Sequence, residues 1–89
     1  MKIEKKTWAG TLESSDAYVE IEPSEDGIEV NVESVVKKQF GEKIKQAVLD
    51  VLQENQVENA SVRITDRGAL ECVIKARVET AVMRGKGDN

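Results

Sequence analysis

The chain has 89 residues, a net charge of −4, one cysteine and no histidine. A single cysteine excludes an internal disulfide bond and a multi-cysteine zinc site, and the missing histidine excludes a Ser-His-Asp triad within the chain. No stretch reaches the ~20 apolar residues of a membrane span, and three aromatic residues are too few for a base-stacking surface. The charged N-terminus has no apolar run behind it. We therefore expect a cytoplasmic protein that binds neither a membrane nor nucleic acid.

The length predicts one domain over 1–89, with flexible termini at 1–6 and 85–89. Its first segment, Thr7 to Leu12, has weak β character, and we expect Trp8 to anchor the core there. Two alternating segments follow on either side of a turn at 23–27. Their inward-facing residues are predicted to be Ala17, Val19 and Ile21, and then Ile28, Val30 and Val32.

These two alternating segments predict a β-hairpin with one apolar face. Pairing Val19 with Val30 sets Glu20 opposite Glu29, which is an unfavourable like-charged pair. The outer face of such a hairpin needs a nearby base, and Arg63 on a later strand is the best candidate.

A first amphipathic helix is predicted after Ser34, which can cap it, and runs to about Asn55. Its apolar stripe includes Phe40, the only phenylalanine. We expect Phe40 to be buried between helix and sheet. The other stripe residues are Val36, Ile44, Ala47, Val48, Val51 and Leu52.

A strand containing Ala60, Val62 and Ile64 comes next, and Asp66 can then cap a second helix from about Gly68. We expect Gly85 to end that helix and Cys72 to be a small packed hydrophobe. The apolar stripe includes the stem of Arg77, with Leu70, Val73, Ile74, Val78, Ala81 and Val82. The β-β-β-α-β-α order predicts a small α+β two-layer sandwich, a mainly antiparallel sheet of about four strands with two helices packed on one face.

The charges are arranged in blocks. Eight acids and no base lie between Glu13 and Glu33. This block is either a solvated strand face or a docking surface for basic partners, and the sequence leaves both interpretations open. In either case the block would repel a nucleic-acid backbone.

The stretch Ala9 to Asp16 places Ser14 and Ser15 in a loop between two β segments. Loops held by a scaffold often carry function. A serine hydroxyl is a nucleophile only when a base takes its proton, and this chain has no histidine to do so. If the hydroxyl reacts, we expect another protein to activate it. Glu13 and Asp16 either orient that protein or start and end the turn.

The Gly10-Thr11-Leu12-Glu13-Ser14 segment followed by Asp16 resembles the acyl carrier proteins of citrate lyase, the γ subunits of that bacterial complex. The resemblance continues, in the same order, through residues 36–41, 49–52, 66–72 and 76–79. It implies that Ser14 carries 2'-(5''-phosphoribosyl)-3'-dephospho-CoA through a phosphodiester bond. Ser15 stands where the family pattern has glycine.

The resemblance further implies a non-catalytic subunit that presents acetyl and citryl thioesters on this covalent arm. The implied partners are the α acyl transferase subunit, the β citryl lyase subunit and a prosthetic-group transferase. Together the lyase subunits cleave citrate to oxaloacetate and acetate. Two alternatives stay open, which are the carrier subunit of malonate decarboxylase and a small α+β regulatory module without a covalent group.

Overall fold

The computed structural model describes residues 2–35 and 37–87. The elements follow in the order β1 (Thr7–Gly10), β2 (Ala17–Glu22), β3 (Ile28–Ser34), α1 (Lys37–Glu54), β4 (Ala60–Asp66) and α2 (Glu71–Gly85). The predicted α+β class and element order are confirmed. The four strands form one sheet in the order β1-β2-β4-β3. Two strand pairs are antiparallel and the third, β3 with β4, is parallel, so the sheet is mixed.

The predicted β2–β3 hairpin is wrong, because β4 lies between these two strands. β4 pairs Val62 with Ile21 of β2 and with Val30 of β3. This insertion removes the like-charged pair expected at Glu20, which instead lies opposite Arg63. A strand–helix–strand connection of this length favours an adjacent parallel pair, and that connection outweighs the short turn between β2 and β3.

The core lies between one face of the sheet and the two helices. α1 packs on β3, α2 packs on β1 and β2, and the helices contact each other. The predicted apolar faces of β2 and β4 are fully buried. The helical stripes are confirmed at Ile44, Ala47, Val48, Val51 and Leu52, and at Ile74, Val78, Ala81 and Val82.

Two aromatic residues predicted to be buried are exposed instead. Trp8 is 54 % exposed, because Ala9 is the inward-facing residue of β1 and strand alternation turns Trp8 outward. Phe40 is 43 % exposed. Among the described side chains of α1, the first buried one is Ile44, one turn later. Phe40 therefore lies beyond the core, and its truncation should cost less than the 3–5 kcal/mol typical of a buried phenylalanine.

Ser34 and Asp66, the two predicted helix caps, have other structural roles. Ser34 is the last residue of β3 and donates a 2.8 Å hydrogen bond to buried Asp66. The Asp66 carboxylate also accepts the backbone N–H groups of Gly68 and Ala69, so it organises the loop before α2. The N-cap of α2 is Leu70, which makes no side-chain cap. Val36, placed in the first apolar stripe, lies outside the described residues.

Further differences concern the second helix and the chain ends. Cys72 is exposed rather than packed. Gly85 is the last residue of α2, as expected. Within the termini predicted to be flexible, Ile3 is 2 % exposed and its backbone bridges to that of Lys86. No helix within 2–35 and 37–87 is long and apolar enough to cross a membrane.

Candidate functional site

The Ser14 loop, residues 11–16, connects β1 to β2 at one end of the sheet. The same end holds the last residues of β3 and β4, because Ala17 and Ser34 are both paired with Asp66. The segment 67–70, which leads into α2, also lies there. We call this region the loop end. It brings together parts of the chain that are about fifty residues apart in sequence.

Gly10 fixes where the loop leaves β1. Its φ is +98°, a conformation that L side chains rarely adopt. A Cβ at this position would also collide with the backbone carbonyl of Ala17. Only glycine therefore allows β1 and β2 to approach this closely at the base of the Ser14 loop.

Asp16 closes the other end of the loop through an ion pair with Arg77 of α2. Arg77 donates from Nε to Oδ1 at 3.0 Å and from an Nη atom to Oδ2 at 2.8 Å. The two parallel bonds fix both the position and the plane of the carboxylate. The predicted stripe contained Arg77 only as an apolar stem, so its guanidinium was missed. An arginine within an apolar helix stripe is the sequence signal that indicates an acidic partner nearby in the fold.

Two further donors complete the environment of Asp16. The Thr11 hydroxyl donates to Oδ2 at 2.6 Å, and the Ala17 N–H donates to Oδ1 at 2.7 Å. The hydrogen bond from Arg77, with smaller contributions from Thr11 and Ala17, holds the pKa of the Asp16 carboxyl well below its usual range. Asp16 is therefore ionised at neutral pH and serves as the structural anchor of the loop.

The loop is also bonded to the segment before α2. The Ser15 N–H donates to the carbonyl of Arg67 at 2.8 Å, and the Arg67 N–H donates to the carbonyl of Asp16 at 2.9 Å. Ser15 has a φ of +66°, in the left-handed region that glycine adopts most readily. A glycine at position 15, as in the pattern that the sequence resembles, would adopt this conformation at lower cost than serine.

Ser14 lies in the turn between these anchors, and its side chain is exposed. The turn is closed by a 3.2 Å bond from the Asp16 N–H to the Glu13 carbonyl. Within residues 2–35 and 37–87, no hydrogen bond occupies the Ser14 hydroxyl. A free, outward-facing hydroxyl on an anchored turn fits a covalently attached group, because the substituent would point into solvent and displace no internal contact.

No group of three or more potential metal ligands occurs among the described residues. The Asp16 carboxylate is held by Arg77, and its lowered pKa makes it a poor base at neutral pH. That another protein activates the Ser14 hydroxyl stays a prediction, and the exposed side chain leaves the hydroxyl accessible to such a protein.

The acidic block is divided by the fold. Glu20, Glu22 and Glu29 lie around Lys6 and Arg63 on the outer face of the sheet, opposite the helices. The Lys6 ammonium is 3.5 Å from the Glu20 carboxylate. We call this region the outer face. The acids appear as an uninterrupted run in the sequence, but bases from two other segments lie among them in three dimensions.

A comparison with family models matches residues 4–85 to an acyl carrier family described as "Malonate decarboxylase delta subunit (MdcD)". In a comparison of solved structures, a chain of a Pseudomonas malonate decarboxylase hetero-tetramer in complex with malonate has a TM-score of 0.80. The match covers 97 % of this chain and 89 % of that one, at 22 % identity. At this identity the structural likeness shows the fold alone.

Curated relatives are closer in sequence. The citrate lyase acyl carrier protein of Vibrio cholerae (strain M66-2) is 56 % identical over 85 residues, which cover 94 % of this chain and 87 % of the relative. The protein of the same name from Oenococcus oeni is 50 % identical over 84 residues, with the same coverage. That from Serratia proteamaculans is 53 % identical, covering 94 % of this chain and 83 % of the relative. With this identity over nearly its full length, the chain belongs to the citrate lyase acyl carrier protein family.

Proposed function

We propose that this non-catalytic carrier subunit bears 2'-(5''-phosphoribosyl)-3'-dephospho-CoA on the Ser14 oxygen, joined through a phosphodiester bond. On this arm it presents acetyl and citryl groups to a citrate lyase α acyl transferase subunit and a β citryl lyase subunit. A prosthetic-group transferase attaches the arm. The proposed location is the cytoplasm expected from the sequence.

The geometry of the Ser14 loop is the observation that carries the proposal. Ser14 is exposed and free of internal hydrogen bonds in the part of the chain that the structure describes. Gly10 and Asp16, on either side of it, are fixed by close packing and by a two-bond ion pair. An acceptor serine needs this combination, because the transferase must reach the hydroxyl while the backbone stays in one position.

The physical advantage of such a carrier is tethering. An intermediate linked to the complex meets the next active site at an effective concentration that can be millimolar. When bound, the arm would supply a terminal thiol that holds the acyl group. The contribution of this chain is to fix the origin of the arm and to dock at the catalytic subunits.

The carrier subunit of malonate decarboxylase is the second candidate, favoured by the description of the matching family model. The 50–56 % identity to citrate lyase carriers over 94 % of the chain favours the first candidate. Ser14 is the proposed attachment residue under either candidate.

Loading tests the assignment. The Ser14→Ala variant, produced beside the attaching enzymes of a citrate-fermenting host, should show no gain in intact mass, while the wild type gains one prosthetic group. Ser15→Gly is the matched control, because glycine accepts the positive φ of this position and removes the neighbouring hydroxyl. It should load normally. Loading of Ser14→Ala together with failure of Ser15→Gly would move the attachment point to Ser15.

A further inference from the structure

A groove of about 360 Å³ opens between α1 and α2 at the loop end. Its walls are mainly apolar side chains of both helices, with Lys43 and Glu71 among them, and its floor reaches Asp66 and residues 68–70. Leu70 at its rim is 70 % exposed, and Phe40 on the opposite rim is 43 % exposed. Two large apolar side chains held at the mouth of a concave apolar surface indicate a binding site.

The groove begins beside the attachment loop. The Ser15 N–H is bonded to the Arg67 carbonyl, and Leu70 follows Arg67 by three residues. Even if residues 67–70 were fully extended, the Cα atoms of Arg67 and Leu70 would lie within roughly 11 Å of each other. A group attached at Ser14 therefore starts next to the groove.

The size and charge of the groove favour a small ligand. Its volume is at the lower end of the roughly 300–1,000 Å³ found for small-molecule sites. A protein interface of standard size takes about 20–30 residues from each partner, whereas ten of the described residues line this groove. Lys43 lies at the mouth, with Nζ 5.9 Å from the centre of the Phe40 ring, and supplies a hydrogen-bond donor at the edge of the apolar walls.

We propose that the groove is a resting site for the thiol-bearing end of the arm on Ser14. This inference rests on the attachment proposed above. The end of a coenzyme A-type arm combines apolar carbons with a few polar groups, which matches apolar walls with Lys43 and Glu71 at the edge. The tether supplies the arm at an effective concentration of about 1 mM. A groove with an intrinsic Kd of about 1 mM would then be half occupied, which protects the thiol yet releases it to partner subunits.

The test uses the isolated loaded carrier in a Cys72→Ser background, because Cys72 is exposed and would also react. Intact mass first confirms loading. We then expect amide chemical-shift changes between unloaded and loaded protein at 40–47 and 68–74, beyond those in the Ser14 loop. The arm thiol should react with a disulfide reagent about twofold more slowly than in the Phe40→Gln, Leu70→Gln double variant.

The control is Met83→Gln, which replaces a comparably exposed apolar side chain about 18 Å along α2 from its first residue. It should leave both the shifts and the thiol rate as in the wild type. Shift changes confined to 11–16 and equal thiol rates in all variants would overturn the groove as a resting site. An absent mass gain would overturn the attachment proposal as well.

Discussion

The Ser14 loop and the outer face are both exposed and both rich in acids, yet the fold uses their charges differently. In the loop, Asp16 receives four hydrogen bonds, two of them from Arg77. On the outer face, Glu20 has one ion pair to Lys6, at 3.5 Å and with the lysine side chain 56 % exposed. Exposed pairs of this kind contribute little to stability.

The difference shows that acids from one continuous run in the sequence can have different structural roles in the fold. Asp16 is a structural anchor because Arg77 of α2 donates hydrogen bonds to its carboxylate from Nε and from one Nη atom. Glu22 and Glu29 are exposed and Glu20 is half-buried beside Lys6, so this face is either a solvated surface or one that attracts basic partners. Because Asp16 is anchored, the backbone at Ser14 has a defined position. The acids of the outer face have no comparable anchor.

The substitution expected to destabilise the anchored loop most is Gly10→Ala. The positive φ alone costs about 1–3 kcal/mol for a non-glycine residue, and the collision with the Ala17 carbonyl adds to this. We expect a fall in the free energy of unfolding by at least that amount in urea denaturation. Gly27→Ala is the matched control, because its φ is also positive while a Cβ there meets open space. If the two variants lost equal stability, the close approach at Gly10 would be unimportant.

The ion pair should control loading more than global folding. Arg77→Gln removes both bonds to Asp16, and a nucleophile displaced by about 1 Å can cost about 10²-fold in rate. We expect loading of Ser14 to slow by roughly ten- to a hundredfold in time courses of intact mass. Arg77→Lys should be intermediate, since it keeps the charge and loses the two-bond geometry.

Arg63→Gln is the comparison on the outer face, since it removes an arginine without touching the loop. It should load at the wild-type rate. Equal slowing by Arg63→Gln and Arg77→Gln would mean that net charge, rather than the anchor, governs loading.

The anchor also predicts a pH dependence. The Asp16 pKa is lowered in the folded protein, while the unfolded value is about 3.9, so the unfolded chain binds the proton more readily. The stability that Asp16 contributes is complete above pH 5 and is lost as the pH falls below 4 toward the folded pKa. The difference in unfolding free energy between wild type and Asp16→Asn should be constant from pH 7 to 5 and shrink below 4. A difference that stays flat to pH 3 would contradict the anchored carboxylate.

The smallest effect on stability is expected on the outer face. Replacing Glu20, Glu22 and Glu29 by glutamine should change the free energy of unfolding by no more than about 0.5 kcal/mol per site. If this face steers basic partners, association with the α and β subunits should slow and become less salt-dependent, because screening acts over ~8 Å at physiological ionic strength. Unchanged association in stopped-flow measurements would leave the outer face as a solvated surface.

Periodicity predicted the parts of the fold where one face is strictly apolar. The inward residues of β2 and β4 and most of both helical stripes are buried as expected. The strand order was not predictable from periodicity, because the alternating pattern of β2 fits β3 and β4 equally well. Only the crossover through α1 favours the parallel β3–β4 pair.

The site shows a similar division. The position of Ser14 in an exposed loop followed from its place between two β segments. The Asp16–Arg77 anchor joins residues 61 positions apart, and no local pattern encodes such a pair. Trp8 is exposed because strand alternation turns it outward, and Phe40 because it lies one helical turn beyond the buried stripe, so side-chain size alone did not predict burial.

The attachment of the arm at Ser14 is the central claim, and fragment mass spectrometry of the loaded wild-type protein tests it most directly. A proteolytic peptide spanning the Ser14 loop should carry the mass of one prosthetic group. Its fragment ions should place that mass on Ser14, with Ser15 unmodified. A loaded peptide from another part of the chain, or fragment ions that place the mass on Ser15, would contradict the account.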